Sequence, residues 1–239
     1  MSTVVPSLTL RSLLRSSASR AGLDVVPEVT TGLTPTAQAM AIAGAALTTP
    51  VMLVVPTDNE VEAMTSDARF FYAAMEGLSD SELSRAVMPF PSLEVDPYRA
   101  ITPHLDVASA RAKVLSSLAR GSAQIVIASA AALLPRVASP QRILEATRDI
   151  VLGDTLSPND LGALLADAGF VPEDPVDEHG EFCIRGGVVD FFPAGEGYPI
   201  RVEFLDDLIE SLRQFDPGTQ RSVTMVDRVA VIPLRENFE

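Results

Sequence analysis

The chain reads as an α/β protein in two parts, a parallel-sheet front followed by a smaller α+β unit with a mainly antiparallel sheet. Three observations predict this. In the front half, short apolar runs alternate with helix-length stretches, the pattern of parallel strands covered by helices on both faces. From Val171 onward the period shortens to two, with glycine- or aspartate-bearing turns between strands, as in an antiparallel sheet. The charge changes as well: residues 1–148 hold 12 basic and 13 acidic side chains, whereas residues 149–239 hold 6 and 19. A near-neutral surface thus gives way to a strongly acidic one. The predicted domains are 1–147 and 148–232, with 233–239 beginning a following segment.

Element by element, residues 1–23 carry Arg11, Arg15 and Arg20, six serines and no acid. A transit peptide has that composition, but the preferred reading is an amphipathic surface helix burying Leu10, Leu13 and Leu14. Pro35 to Leu47 is Ala-rich and helical, and Val51 to Val55 is a buried-strand run ended by Pro56. A helix capped by Asp58 or Asn59 runs to about Met75 and carries Phe70, Phe71 and Tyr72. A short strand near Val87 follows, then a loop with Pro89, Pro91, Pro97 and Pro103, a helix from about Asp106 to Ala119, and a strand from Gln124 to Ala128.

In the back half, Ser157 caps a helix with Pro158 at its first position, and Gly169 ends it. Strands are expected around Phe182 and Ile184, Val188 to Phe192, Ile200 to Leu205 and Val226 to Ile232. Turns fall at Gly186-Gly187, Gly195-Glu196-Gly197 and Asp206-Asp207. This half has its own apolar set (Val188, Val189, Phe191, Val202, Phe204) and is expected to fold alone. In Ile200 to Leu205, alternation places Ile200, Val202 and Phe204 on the core face, and Arg201, Glu203 and Leu205 on an exposed stripe about 13 Å long.

Composition excludes several function classes. A net charge of −14 with a single lysine speaks against a primary nucleic-acid binder, which needs clustered basic residues. No run is long and apolar enough to span a bilayer, and no secretory signal is evident, so a cytoplasmic protein without a membrane partner is expected. Cys183 is the one cysteine and forms no internal disulfide. The stretch Gly32 to Ala39 lies where a phosphate-binding loop belongs. Pro35 and Ala37 stand in place of glycines there, Gln38 in place of the lysine, and Ala39 in place of the magnesium-binding hydroxyl. Lys113, in a helical stretch, is no substitute. Read by itself, the stretch fits a plain loop as well as a ruined phosphate loop. His104, in a loop after Pro103, His179 and Cys183 cannot by themselves supply a tetrahedral zinc site, and for Glu178, His179 and Glu181 a solvated acidic turn is preferred over metal ligation. No catalytic residue, cofactor or metal is expected.

Residues Glu178 to Pro193 (EHGEFCIRGGVVDFFP) and Ile200 to Ser222 (IRVEFLDDLIESLRQFDPGTQRS) closely resemble the second domain shared by the transcription-repair coupling factors and the excision-repair helicase UvrB. The loop Leu93-Glu94-Val95-Asp96-Pro97-Tyr98 with Pro103-His104 resembles the coupling factors in particular, as does the degenerate phosphate loop, which is intact in UvrB. The resemblance implies a front domain with a degenerate RecA-like fold lacking ATPase residues, and a second domain that binds the damage-recognition protein UvrA. It implies a non-enzymatic docking module that recruits nucleotide excision repair to stalled RNA polymerase. Polymerase and DNA would be met only through domains beyond this sequence, which reads as a fragment of such a polypeptide. The family's partner-binding arginines match Arg185 and Arg201; its neighbouring aromatic position is Leu205 here, which keeps apolar area and loses stacking. The plain alternative for both arginines is an ion pair with nearby acids. Two other functions stay open: an intramolecular mask that holds the parent translocase inactive, and a fragment of a UvrB-type helicase.

Overall fold

A computed structural model describes residues 9–25, 31–93 and 104–236. The coupling-factor-like loop at Leu93 to Tyr98, with Pro103, falls almost entirely on residues 94–103, outside the described residues. Contacts divide the chain into two compact units, Met1–Ser92 with Gly121–Leu134, and Leu93–Arg120 with Pro135–Glu239.

The first unit holds helices α1 (Leu10–Arg20), α2 (Pro35–Ala45), α3 (Asp58–Glu76) and α4 (Asp80–Ala86) and strands β1 (Val51–Val55), β2 (Val87–Phe90) and β3 (Ile125–Ser129). The strands form a parallel sheet in the order β1-β3-β2. Central β3 is buried throughout, and its Ile125 and Ile127 join Val55, Val87 and the helices in one core. Pro89 lies inside β2 rather than in the loop expected there; β2 is an edge strand, where a missing N–H is tolerated. Thr57, not Asp58 or Asn59, is the N-cap of α3, and Glu60 reaches back to the Thr57 N–H at 3.4 Å. The expected buried side of α1 is also corrected. Leu10 and Leu13 are 57% and 45% exposed, and the helix is seated through Leu14 and the buried Ala18, one turn apart.

The second unit begins with α5 (Leu105–Ala119) and α6 (Pro140–Ala146), then β4 (Arg148–Val151) and α7 (Pro158–Asp167). Strands β5 (Val171–Pro172), β6 (Glu181–Arg185), β7 (Val188–Phe191), β8 (Ile200–Leu205), β9 (Leu208–Phe215), β10 (Ser222–Met225) and β11 (Arg228–Val231) follow. Six of them form a sheet in the order β10-β9-β8-β7-β6-β5, antiparallel except for the β5–β6 pair. Strand β11 leaves that meander and pairs with β4 in a separate two-stranded sheet. Helix α7 is capped by Ser157, carries Pro158 at N1 and is followed by Gly169 in the left-handed region (φ +94). Its Leu161 and Leu165 sit on a core built from Phe182, Val189, Phe191, Ile200, Val202 and Leu212.

The expected junction at 147/148 does not follow this grouping, because α5 packs with the later strands. Ala112 is in their core, Arg111 is ion-paired with Glu236, and Lys113 Nζ donates to the Gly195 carbonyl at 2.7 Å. Gly195 N–H in turn donates to Ser109 Oγ at 3.0 Å. Residues 233–236, read as the start of a following segment, also belong here: Leu234 is buried and its N–H donates to the Ala168 carbonyl at 2.8 Å.

Candidate functional site

The face of the six-stranded sheet opposite α7 carries the charged side chains. The two-residue turn at Gly186-Gly187 sets the register, so that Arg185 faces Val188 and Cys183 faces Asp190. Asp190 then faces Arg201 on β8, and Arg201 faces Arg213 on β9. One cross-strand row therefore runs Cys183, Asp190, Arg201, Arg213 and Met225. A neighbouring row runs Arg185, Val188, Glu203 and Ser211.

Asp190 is the centre of this arrangement. Its side chain is 0% exposed, and both carboxylate oxygens are occupied. Arg201 Nε donates to Oδ1 at 2.8 Å and Nη2 to Oδ2 at 2.7 Å, a bidentate fork. Arg185 Nη2 also donates to Oδ2, while its Nη1 donates to Asp174 at 3.1 Å. The guanidinium of Arg201 lies over the Phe215 ring, 4.8 Å from its centroid. The hydrogen bond to Asp190 raises the Arg201 pKa above its ordinary value, against a smaller opposing effect of burial. Beside this cluster, Arg213 Nη2 and Ser211 Oγ both donate to Glu203, at 2.7 and 2.9 Å.

Both sequence-selected arginines are therefore brought together, on adjacent sites of one face, and both are engaged in internal ion pairs. They keep outward surface: Arg185 is 43% exposed and Arg201 22%. Leu205 lies at the end of the same stripe, 59% exposed, paired across the hairpin with the exposed Leu208. Sequence reasoning missed Asp190. The signal was present, since a single acid interrupts the apolar run Val188 to Phe192. The Gly-Gly turn also fixes its parity with Arg185.

The other candidates are placed as follows. His179 stacks on Phe192 at 4.1 Å, and its ring nitrogens lie 2.9 Å from the Glu196 carbonyl and 3.3 Å from Asp106. Glu181 is buried and accepts the N–H groups of Asp177 and Glu178 at 3.0 and 2.9 Å, closing the acidic turn on itself. His104 caps α5, its Nδ1 accepting from the Asp106 N–H. In the first unit, Thr34 caps α2 and Pro35 occupies its first position, while Gln38 Nε2 reaches the Leu33 carbonyl at 3.4 Å. A cavity of about 410 Å³ adjoins this stretch, and its charged lining is Glu60 and Asp67.

The family model for the UvrB interaction domain matches residues 149–237. Those residues hold the whole six-stranded sheet together with Arg185, Asp190, Arg201 and Leu205. Over a longer stretch the chain is similar to transcription-repair coupling factors. That of Haemophilus influenzae is 32% identical over 178 residues, 74% of this chain and 15% of that protein. That of Escherichia coli is 35% identical over 151 residues, 63% of this chain and 13% of that protein. The UvrABC system protein B of Kosmotoga olearia is 30% identical over 130 residues, 54% of this chain and 19% of that protein. The chain thus spans less than a fifth of each of these relatives. Among the described residues, no helix is long and apolar enough to cross a membrane.

Proposed function

We propose that the second unit docks UvrA, and that the chain acts as the non-catalytic module of a coupling factor that brings nucleotide excision repair to stalled RNA polymerase. The observation carrying this reading is that the UvrB interaction domain presents an arginine pair, with an exposed leucine at the end of the same stripe, on the sheet face opposite α7. Partly exposed arginines held in a rigid sheet, next to apolar area, have the make-up of an interface anchor. The first unit supports a non-enzymatic role. In its Gly32 to Ala39 stretch the helix opens on a proline, glutamine stands where a lysine is needed, and the adjoining cavity has acidic charged groups.

The test is the affinity of purified UvrA for Arg185→Ala, Arg201→Ala and Leu205→Ala, measured at a temperature where melts show each variant folded. A desolvated anchor loses about 2 kcal/mol or more of binding on truncation, a rim charge under about 1 kcal/mol. At least one arginine is expected in the first class. Wild-type affinity in both arginine variants would place docking elsewhere.

A further inference from the structure

We infer that Asp190 is a positioning residue for docking: a buried carboxylate that fixes the two partner-facing arginines in the pose a partner's acid meets. The inference rests on the docking reading above. A carboxylate with no exposure is costly to bury, and Asp190 lies opposite Cys183, which packs on a small buried cluster of Val176, Phe192 and Phe215. What it does there is visible in its bonds. It takes the Nε–Nη2 side of Arg201 and one Nη of Arg185. Phe215 supports the flat face of the Arg201 guanidinium, and Asp174 takes the second Nη of Arg185. Arg201 is left with its Nη1 edge as the donor surface not used by Asp190. A long side chain with several rotatable bonds has thereby been reduced to one orientation before any partner arrives.

Two consequences follow from the chemistry. Ordering a flexible arginine on binding costs affinity, and ordering it in advance removes that cost. Two carboxylates, Asp190 and Asp174, balance the two guanidiniums, so what the cluster offers a partner is fixed donor edges rather than net charge. The partner group that such donor edges fit is a carboxylate. Asp190 itself touches no partner; it acts through Arg201 and Arg185.

The experiment measures UvrA binding to the 239-residue chain carrying Asp190→Asn, Arg201→Lys, Arg185→Ala/Arg201→Ala, and the triple combination of the latter pair with Asp190→Asn. Asp190→Asn keeps the shape and removes the charge that holds the Arg201 fork and one Nη of Arg185. It is expected to weaken binding at least 10-fold, mainly through faster dissociation. Added to the double arginine variant, it is expected to change nothing further, an outcome that a general loss of structure would not give. Arg201→Lys keeps the charge and loses the fork, so it is expected to weaken binding by a similar factor. Should Asp190→Asn fail to fold, Arg201→Lys decides: wild-type affinity there overturns the inference. Unchanged affinity in a folded Asp190→Asn, while the double arginine variant loses binding, overturns the positioning role alone. Tighter binding overturns it too, since Asp190 would then be a competitor for the arginines. Retention of binding by the double arginine variant instead overturns the docking reading itself.

Discussion

Cutting the chain at the junction that the sequence suggests removes α5 and α6 from the second unit, and the cost follows from four contacts. Residues 148–236 lose the burial of Ala112 against their core and the hydrogen bond between Ser109 and Gly195. They also lose the charge-assisted bond from Lys113 to Gly195 and the bidentate pair between Arg111 and Glu236. A neutral hydrogen bond contributes about 1 kcal/mol and a charge-assisted one about 1.5–3 kcal/mol, so the polar losses alone come to roughly 4–7 kcal/mol. A whole domain is stable by only about 5–15 kcal/mol. The fragment is therefore expected to be marginal, although its own apolar set (Val188, Val189, Phe191, Val202, Phe204) led the sequence reading to expect independent folding. Urea titrations of the fragment and the intact chain, followed by circular dichroism, measure the difference. With a slope of about 1–3 kcal/mol per molar urea, the midpoint should fall by about 1.3 M or more. A synthetic peptide spanning residues 104–120, added in trans, should recover part of the loss. A fragment as stable as the second unit of the intact chain would refute the assignment of α5 to that unit.

Stability should also separate the two arginines. Arg201→Ala removes two of the three bonds to a fully buried carboxylate and is expected to cost about 2–4 kcal/mol; Arg185→Ala, at a site 43% exposed and with the Arg201 fork intact, should cost about 1 kcal/mol or less. Equal losses in denaturant titrations would contradict that division. Calorimetry with ATP and ADP is expected to give no saturable heat up to millimolar nucleotide, and a saturable isotherm would show that the Gly32 to Ala39 loop still binds phosphate.

Much of the fold was legible because it is written locally. The run Val51 to Val55 stops at Pro56, and Ser157-Pro158 with Gly169 brackets α7 at both ends. The turns at Gly186-Gly187 and Asp206-Asp207 fix hairpin register, the second with Asp206 in the left-handed region at φ +54. Where several residues compete locally, the pattern does not single out one of them. Thr57, Asp58 and Asn59 can all cap a helix, and the deciding signal was Glu60 three residues after Thr57. What stayed hidden depends on partners distant in sequence. Alternation in Arg228 to Val231 is the same whether β11 joins the large sheet or pairs with β4, so the pattern could not choose. Helix α5 carries no mark of which unit it joins, because the Arg111–Glu236 pair spans most of the second unit. The candidate site was half legible for the same reason. Arg185, Arg201 and Leu205 came from the resemblance and strand parity, whereas the buried carboxylate beneath them becomes visible only once β6, β7 and β8 are laid side by side.

Among the described residues strand β10 ends the large sheet with an open edge, all four of its residues exposed, Val223 at 51% and Met225 at 64%. Such an edge can template a second copy of itself, extending the sheet across two molecules. What opposes this is colloidal: each copy brings the strongly acidic back half, 19 acids against 6 bases, to the encounter. That repulsion acts over about 30 Å at 0.01 M salt and only about 3 Å at 1 M. Concentrated salt, often chosen to keep a purified protein dispersed, would here strip away the protection and favour pairing of edges. Dilute buffer is the condition in which this acidity keeps copies apart.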